Sequence, residues 1–202
     1  MARISKAASP AIEASTLRNP VVFVVDMVNG FVKEGALADP AIAQIASPIR
    51  ELIEKTSARV WFINDNHTED AAEFASFPVH CLKGSEEAKV IDELADVKGN
   101  TLYKNCISAA ASPQFDEMLD SLGKEPCDLI VAGCCTDLCI LQLALPLQSW
   151  INQINRKDTR VIVLEDCVET YHIDDIHDAV FWNETALANM AANGITIASF
   201  VK

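Results

Sequence analysis

Cys139 is the residue best placed for covalent chemistry, because it closes the run Leu129–Ala132 followed by Gly133-Cys134-Cys135-Thr136-Asp137-Leu138-Cys139, a buried-strand pattern entering a tight turn. Thr136 is a good N-cap, Asp137 falls in the first helical turn, and Leu138, Leu141 and Leu145 form an apolar helical pattern. Cys139 is thus expected at a helix start, where free backbone N–H groups and the helix dipole favour thiolate. Gly133 supplies permissive backbone for the turn. Three close cysteines also suit buried small hydrophobes, and the segment alone leaves both readings open.

A cysteine nucleophile needs a base for its proton and a group that stabilises charge on the attacked carbonyl. Asp26 and Lys104 complete such a set. Asp26 follows five apolar residues, so burial raises its carboxyl toward a base's range while a nearby lysine pulls it down. An Asp–Lys ion pair at a strand edge is the plainer alternative.

A second cluster follows Val60–Ile63: Asp65, His67, Glu73 and His80, with Phe77 and Pro78 just before the last histidine. Asp65 and His67 are two apart and share a side of an extended strand end, while Glu73 and His80 arrive from the ensuing loop. Two imidazoles and two carboxylates suit a borderline divalent ion: zinc, manganese or iron. The irregular spacing, with no HExxH, also fits a polar loop with unrelated histidines. His172 and His177, near or on a later helix, receive no role.

The elements that position these groups follow from apolar periodicity. Val21–Val25, Val60–Ile63, Leu129–Ala132, Val161–Leu164 and Ile195–Ala198, with a weaker Thr101–Tyr103, read as buried parallel strands. Helical periodicity covers Pro40–Lys55, Glu86–Leu94, Pro113–Leu122, Thr136 to Trp150 and Asp175–Met190. The alternation predicts an α/β chain, a three-layer α/β/α domain on a mostly parallel sheet of about six strands. Ligands in such sheets bind beyond the carboxyl ends of the strands, and there Asp26, Asn64 and Asp65, Lys104, the Gly133–Cys139 turn, and Glu165 and Asp166 follow in order.

The chain has 202 residues, half of them apolar, which suits one domain over residues 1–202 with a loose N-terminal segment at 1–18. Sixteen basic against 29 acidic residues give a net charge of −13, which disfavours nucleic acid as a partner. No apolar run approaches the ~20 residues of a membrane span, and no signal-peptide core opens the chain, so a cytoplasmic protein without membrane partners is expected. Seven cysteines without a regular framework point to reduced thiols. No GxGxxG, GxxxxGK[ST] or GxSxG motif occurs, which leaves dinucleotide, P-loop and serine-elbow chemistry unsupported.

From Val21 onward the chain resembles the isochorismatase-like cysteine hydrolases, and within them the nicotinamidases. The resemblance rests on Asp26-Met27-Val28-Asn29-Gly30-Phe31, on Asp65-Asn66-His67 with Glu73-Phe74 and Phe77-Pro78-Val79-His80-Cys81, on Tyr103-Lys104, and on Gly133 to Cys139. It implies that Cys139 is the nucleophile, Asp26 the base and Lys104 the cation between them. It further implies a cis peptide between Cys134 and Cys135 and an oxyanion hole from the backbone N–H groups of Cys135 and Cys139. Asp65, His67, Glu73 and His80 are implied to hold a divalent ion, zinc above manganese or iron, and Phe31 and Phe77 to flank the substrate ring.

The implied reaction is hydrolysis of nicotinamide to nicotinate and ammonia through a thioester, by a metal-dependent amidohydrolase that forms homo-oligomers. The rivals are another small amide, a carbamoyl or ureido compound as substrate, and a non-catalytic metal-binding protein of the same fold. An isochorismatase proper cleaves an ether and has no need of Cys139. The chain departs from the family's pattern at Val28, where glutamine is common, at Gly30 for aspartate, at Glu73 for a third histidine, and at Pro146 and 148–158, where a helix end or oligomer contact is expected to change.

Overall fold

The computed structural model describes residues 9–201. Seven strands form one parallel sheet: β1 (Ala11–Ile12), β2 (Val21–Val25), β3 (Arg59–Asp65), β4 (Asn100–Lys104), β5 (Asp128–Cys134), β6 (Arg160–Glu169) and β7 (Thr196–Phe200), in the order β1-β7-β6-β5-β2-β3-β4. All six sequence-predicted strands are present. The seventh comes from the segment expected to be loose: Ala11 and Ile12 pair with Ser199 and Phe200, and the Arg18 amide donates to Asp128 Oδ2 at 2.9 Å. Of that 1–18 segment, residues 1–8 lie outside the described residues.

The central strands are apolar on both sides because both faces are covered. Val22, Val24, Ile130 and Ile162 pack toward α2 (Ala46–Thr56), through Ile49 and Leu52. Val21, Phe23, Leu129 and Val163 pack on the opposite face with Met118 of α3 (Phe115–Ser121), Leu143 and Leu147 of α4 (Leu141–Gln153), and Leu187 and Met190 of α5 (Ala179–Ala192). The result is the expected α/β/α sandwich. Among the described residues no helix is long and apolar enough to cross a membrane.

Two local expectations are corrected. Glu86–Leu94 is a run of turns, because its backbone is engaged elsewhere: Gly30 N donates to Glu87 O, Asn29 N to Lys89 O, and Ile91 N to Met27 O. Those contacts replace a helical ladder, although Ile91 and Leu94 still fill the α2-side core. α4 buries Leu143, Ala144, Leu147 and Ile151, with Leu141 and Leu145 half-buried and packed against the same core. Pro146 sits inside this helix, which runs past the expected Trp150 to Gln153. The last helix starts at Ala179 instead of Asp175, since Asp178 is its cap, accepting from the amides of Val180 and Phe181.

β2 runs between β5 on one side and β3 on the other, so chain progression reverses between β2 and β5. That switch point opens a crevice at the carboxyl end of the sheet, and the residues just beyond β2, β3, β4 and β5 face it. Gly133 allows the last pair to close: its φ is +119°, and a Cβ there would stand 2.0 Å from Val25 O.

Candidate active site

β5 delivers its cysteines through a turn wider than the α-helical start the sequence implies. Cys135, in place of Thr136, takes the N-cap position, and its carbonyl accepts from both Leu138 N and Ile140 N, so Thr136–Ile140 winds as a π-helical turn before α4. Thr136 thereby falls inside the turn, where its Oγ1 is buried without a hydrogen-bond partner. The Cys134–Cys135 peptide is cis. Cys134 is fully buried, its thiol donating to Asp26 O at 3.2 Å, while Cys135 and Cys139 line a cavity. All seven cysteines are free.

Asp26, Lys104 and Cys139 meet at this crevice. Lys104 Nζ lies 2.8 Å from Asp26 Oδ2 and 3.6 Å from Cys139 Sγ. Asp26 Oδ1 accepts from the Asp65 amide at 2.8 Å, which fixes the carboxylate's orientation. Burial, with the Asp65 charge nearby, raises the Asp26 carboxyl to about 6 despite Lys104. Burial also works against the Lys104 ammonium, but Asp26 and Asp65 outweigh it and hold the group well above its usual range. Burial, supported by Asp26 and Asp65, pushes the Cys139 thiol up more than Lys104 pulls it down. The Asp26 and Asp65 carboxylates both lie beside Lys104, and each has an oxygen within 4.8 Å of the Cys139 sulfur.

Asp65, His67, Glu73 and His80 converge beside the triad, with one ligand atom from each lying within 4.8 Å of the others. His67 Nε2 is 3.5 Å from Asp65 Oδ1 and 3.9 Å from Glu73 Oε1, and His80 Nε2 is 3.6 Å from Asp65 Oδ2. The two Nε2 atoms stand 3.1 Å apart. Each ring spends its other nitrogen elsewhere: His80 Nδ1 donates to Pro78 O at 2.8 Å, and His67 Nδ1 to Asn105 Oδ1 at 3.3 Å. Both Nε2 lone pairs then point into one space beside two carboxylates, a donor set that fits a divalent cation. Glu73 is held by Ile107 N, which donates to its Oε2 at 2.8 Å. Burial alone raises Asp65, yet Lys104 and the imidazoles hold it well below the usual carboxylate range.

The cavity over these groups has a volume of about 550 Å³. Phe31, Phe77, His80, Cys139, Leu138 and Tyr171 line it. The Phe31 and Phe77 rings meet the His80 ring edge-on, at centroid distances of 5.5 and 6.5 Å. Val28 and Gly30 also find physical reasons. Val28 is buried and bridges Val90, and a Cβ on Gly30 would sit 2.5 Å from Cys81 Sγ. Glu87 accepts from Cys81 N at 2.9 Å beside that glycine, fastening the residue after His80.

Sequence reasoning missed the far wall. Tyr171, His172 and Ile173 line the cavity, and His177, expected to have no role, stacks on Tyr171 at 3.9 Å. His172 N donates to Asp39 Oδ2 at 2.9 Å, tying that wall to the facing rim. The only sequence signal was the position of these residues after a predicted strand.

A family model described as the isochorismatase domain matches residues 20–199. Among solved structures, N-carbamoylsarcosine amidase from Thermoplasma acidophilum is similar with a TM-score of 0.70 and 26% identity, over 90% of this chain and 96% of that one. A nicotinamidase from Bacillus subtilis gives a TM-score of 0.71 at 24% identity, over 90% and 100% of the two chains. A pyrazinamidase from Pyrococcus horikoshii, solved in complex with zinc, gives 0.71 at 22%, over 91% and 100%. No match was found among curated protein sequences.

Proposed function

The chain belongs to the isochorismatase family, and we propose that it hydrolyses the C–N bond of a small neutral carboxamide, nicotinamide being favoured, through a thioester on Cys139. The observation that carries this reading is the 3.6 Å approach of Lys104 Nζ to Cys139 Sγ with Asp26 on the same ammonium.

In this mechanism Asp26 takes the thiol proton as Cys139 Sγ bonds to the amide carbon. The backbone N–H groups of Cys135 and Cys139 receive the charge that develops on the carbonyl oxygen. The C–N bond then breaks, and ammonia leaves with the proton held by Asp26. Water gives a proton to Asp26 and adds to the thioester carbon. The C–S bond breaks, the acid departs, and the proton returns from Asp26 to sulfur. Lys104 keeps both partners in register throughout and stays protonated.

In this reading Asp65, His67, Glu73 and His80 would hold a divalent ion, zinc, manganese or iron, which would supply Lewis acidity for a heteroaromatic ring nitrogen. Phe31 and Phe77 enclose the ring. No lysine or arginine is among the described residues lining the cavity, whereas Asp39, Asp65 and Glu73 are, so the lining offers a carboxylate-bearing substrate no fixed ammonium or guanidinium. That disfavours the second reading, a carbamoyl or ureido compound, which the similarity to N-carbamoylsarcosine amidase supports.

Ammonia release from nicotinamide, pyrazinamide, N-carbamoylsarcosine and a ureido acid, with and without added zinc, manganese or iron, tests this assignment. The proposal expects turnover of the neutral pyridine and pyrazine amides. Preference for the carboxylate-bearing compounds would transfer it to the second reading, and inactivity on all of them in every metal would refute it.

A further inference from the structure

Asp137 lies two residues before Cys139 in the same turn, and both of its carboxylate oxygens are committed to the segment between β6 and α5. Oδ1 accepts from Thr170 Oγ1 at 2.6 Å, and Oδ2 faces His177 Nε2 at 2.9 Å. The second ring nitrogen of His177, Nδ1, faces Tyr171 O at 2.9 Å. Each nitrogen of the imidazole is therefore directed at an oxygen acceptor.

The ring is also clamped by its faces. It stacks on Tyr171 with an interplanar angle of 15° and on Trp182 of α5 with one of 8°. His177 N donates to Ile173 O at 2.8 Å and Ile173 N to His177 O at 3.0 Å, so residues 173–177 form a closed loop. His177 is 7% exposed although Ile173 and Ile176, just before it in sequence, are exposed. A buried imidazole with both nitrogens and both faces engaged is an expensive arrangement for a surface loop. What it holds in place is the stretch of cavity wall Tyr171-His172-Ile173, which lines the same cavity as Phe31 and Phe77.

We propose that Asp137 and His177 are positioning residues that lock this wall to the turn bearing Cys139, so that the wall sets how a ring-sized amide sits over the sulfur. The inference rests on the hydrolase reading above for its substrate consequence, and on geometry alone for the clamp. The described hydrogen bonds of the His177 ring go to Asp137 and Tyr171 and not to Asp26, Lys104 or Cys139. Loosening the wall therefore weakens substrate binding more than it slows the bond-making step.

Two measurements on the full chain test it, in wild type, His177→Ala and the milder Thr170→Val, with thermal melts establishing that each is folded. The first is hydrogen exchange of the segment 170–177. The clamp predicts that its amides exchange about tenfold faster or more in His177→Ala, the scale of one charge-assisted hydrogen bond, with a smaller change of the same sign in Thr170→Val. Unchanged exchange in both folded variants would overturn the clamp. The second is steady-state kinetics with whichever amide wild type turns over best. KM is expected to rise about tenfold in His177→Ala with kcat held within about threefold. A fall in kcat at unchanged KM, or no kinetic change, would overturn the positioning role. If wild type turns over no amide, the hydrolase reading fails instead, and the exchange data still decide the clamp.

Discussion

Lys104 Nζ reaches Asp65 Oδ1 at 2.5 Å, so the triad and the candidate metal cluster share one carboxylate. Asp65 turns its oxygens toward Lys104, His67 and His80 while its amide orients Asp26. Any change in the charge held by the cluster is consequently felt at the ammonium that faces Cys139.

Lys104→Met keeps the stem of the side chain and deletes the charge. Asp26 and Asp65 are then buried carboxylates without their cation, a loss of about 3–5 kcal/mol in stability by analogy with other broken buried pairs. Amide turnover is expected to fall by about 10²-fold or more, and a melt combined with an ammonia assay checks both.

Asp26→Asn is nearly isosteric and removes the proton acceptor. The account expects kcat/KM to drop by about 10²–10⁴-fold while the protein stays folded, because Asn keeps an oxygen for the Asp65 amide. Circular dichroism together with steady-state kinetics tests this, and wild-type turnover by the folded variant would remove Asp26 from the mechanism.

His67→Ala and His80→Ala each delete one of the two facing Nε2 donors. Metal content per chain, measured by inductively coupled plasma mass spectrometry after loading and desalting, is expected to fall in both, with affinity down by about tenfold or more. Stoichiometric metal in both variants would contradict the ligand assignment.

At the other end of the sheet, Arg160 of β6 makes a two-pronged contact with the buried Asp128, at 2.8 and 2.7 Å. Arg160 and the Arg18 amide outweigh burial and hold the Asp128 carboxyl below its ordinary 3.8. A carboxyl depressed in the folded state stabilises above its unfolded value, and that stabilisation is lost as pH falls through the folded value. Asp128→Asn is expected to cost about 1.5–3 kcal/mol at neutral pH and to flatten the stability profile below the ordinary carboxylate range. Denaturant titrations across that acid range provide the check.

The parts of this architecture legible in sequence are those fixed by burial. Val21–Val25 and Leu129–Ala132 could be read as strands because both faces of the sheet are covered, and Asp26, Asp65 and Lys104 followed within two residues of apolar runs, with Cys139 at the end of the turn after Leu129–Ala132. Glu86–Leu94 was illegible because its backbone pairs with the loop after β2, a partner some sixty residues away that periodicity does not register. The Thr136 cap failed for a related reason: the double acceptance at Cys135 O starts the turn one residue early. His177 had no local signal, since its partner Asp137 is forty positions distant and the two meet only across the sheet's edge. The four candidate metal ligands were visible as residue types, but irregular spacing left their convergence to the fold.

In the proposed mechanism the sulfur of Cys139 forms the bond that expels ammonia. Ammonia release from nicotinamide by Cys139→Ala, compared with wild type at equal metal content and equal thermal stability, tests it most directly. Wild type is expected to release ammonia and the variant to be indistinguishable from the buffer blank. Release by the alanine variant at the wild-type rate would contradict it.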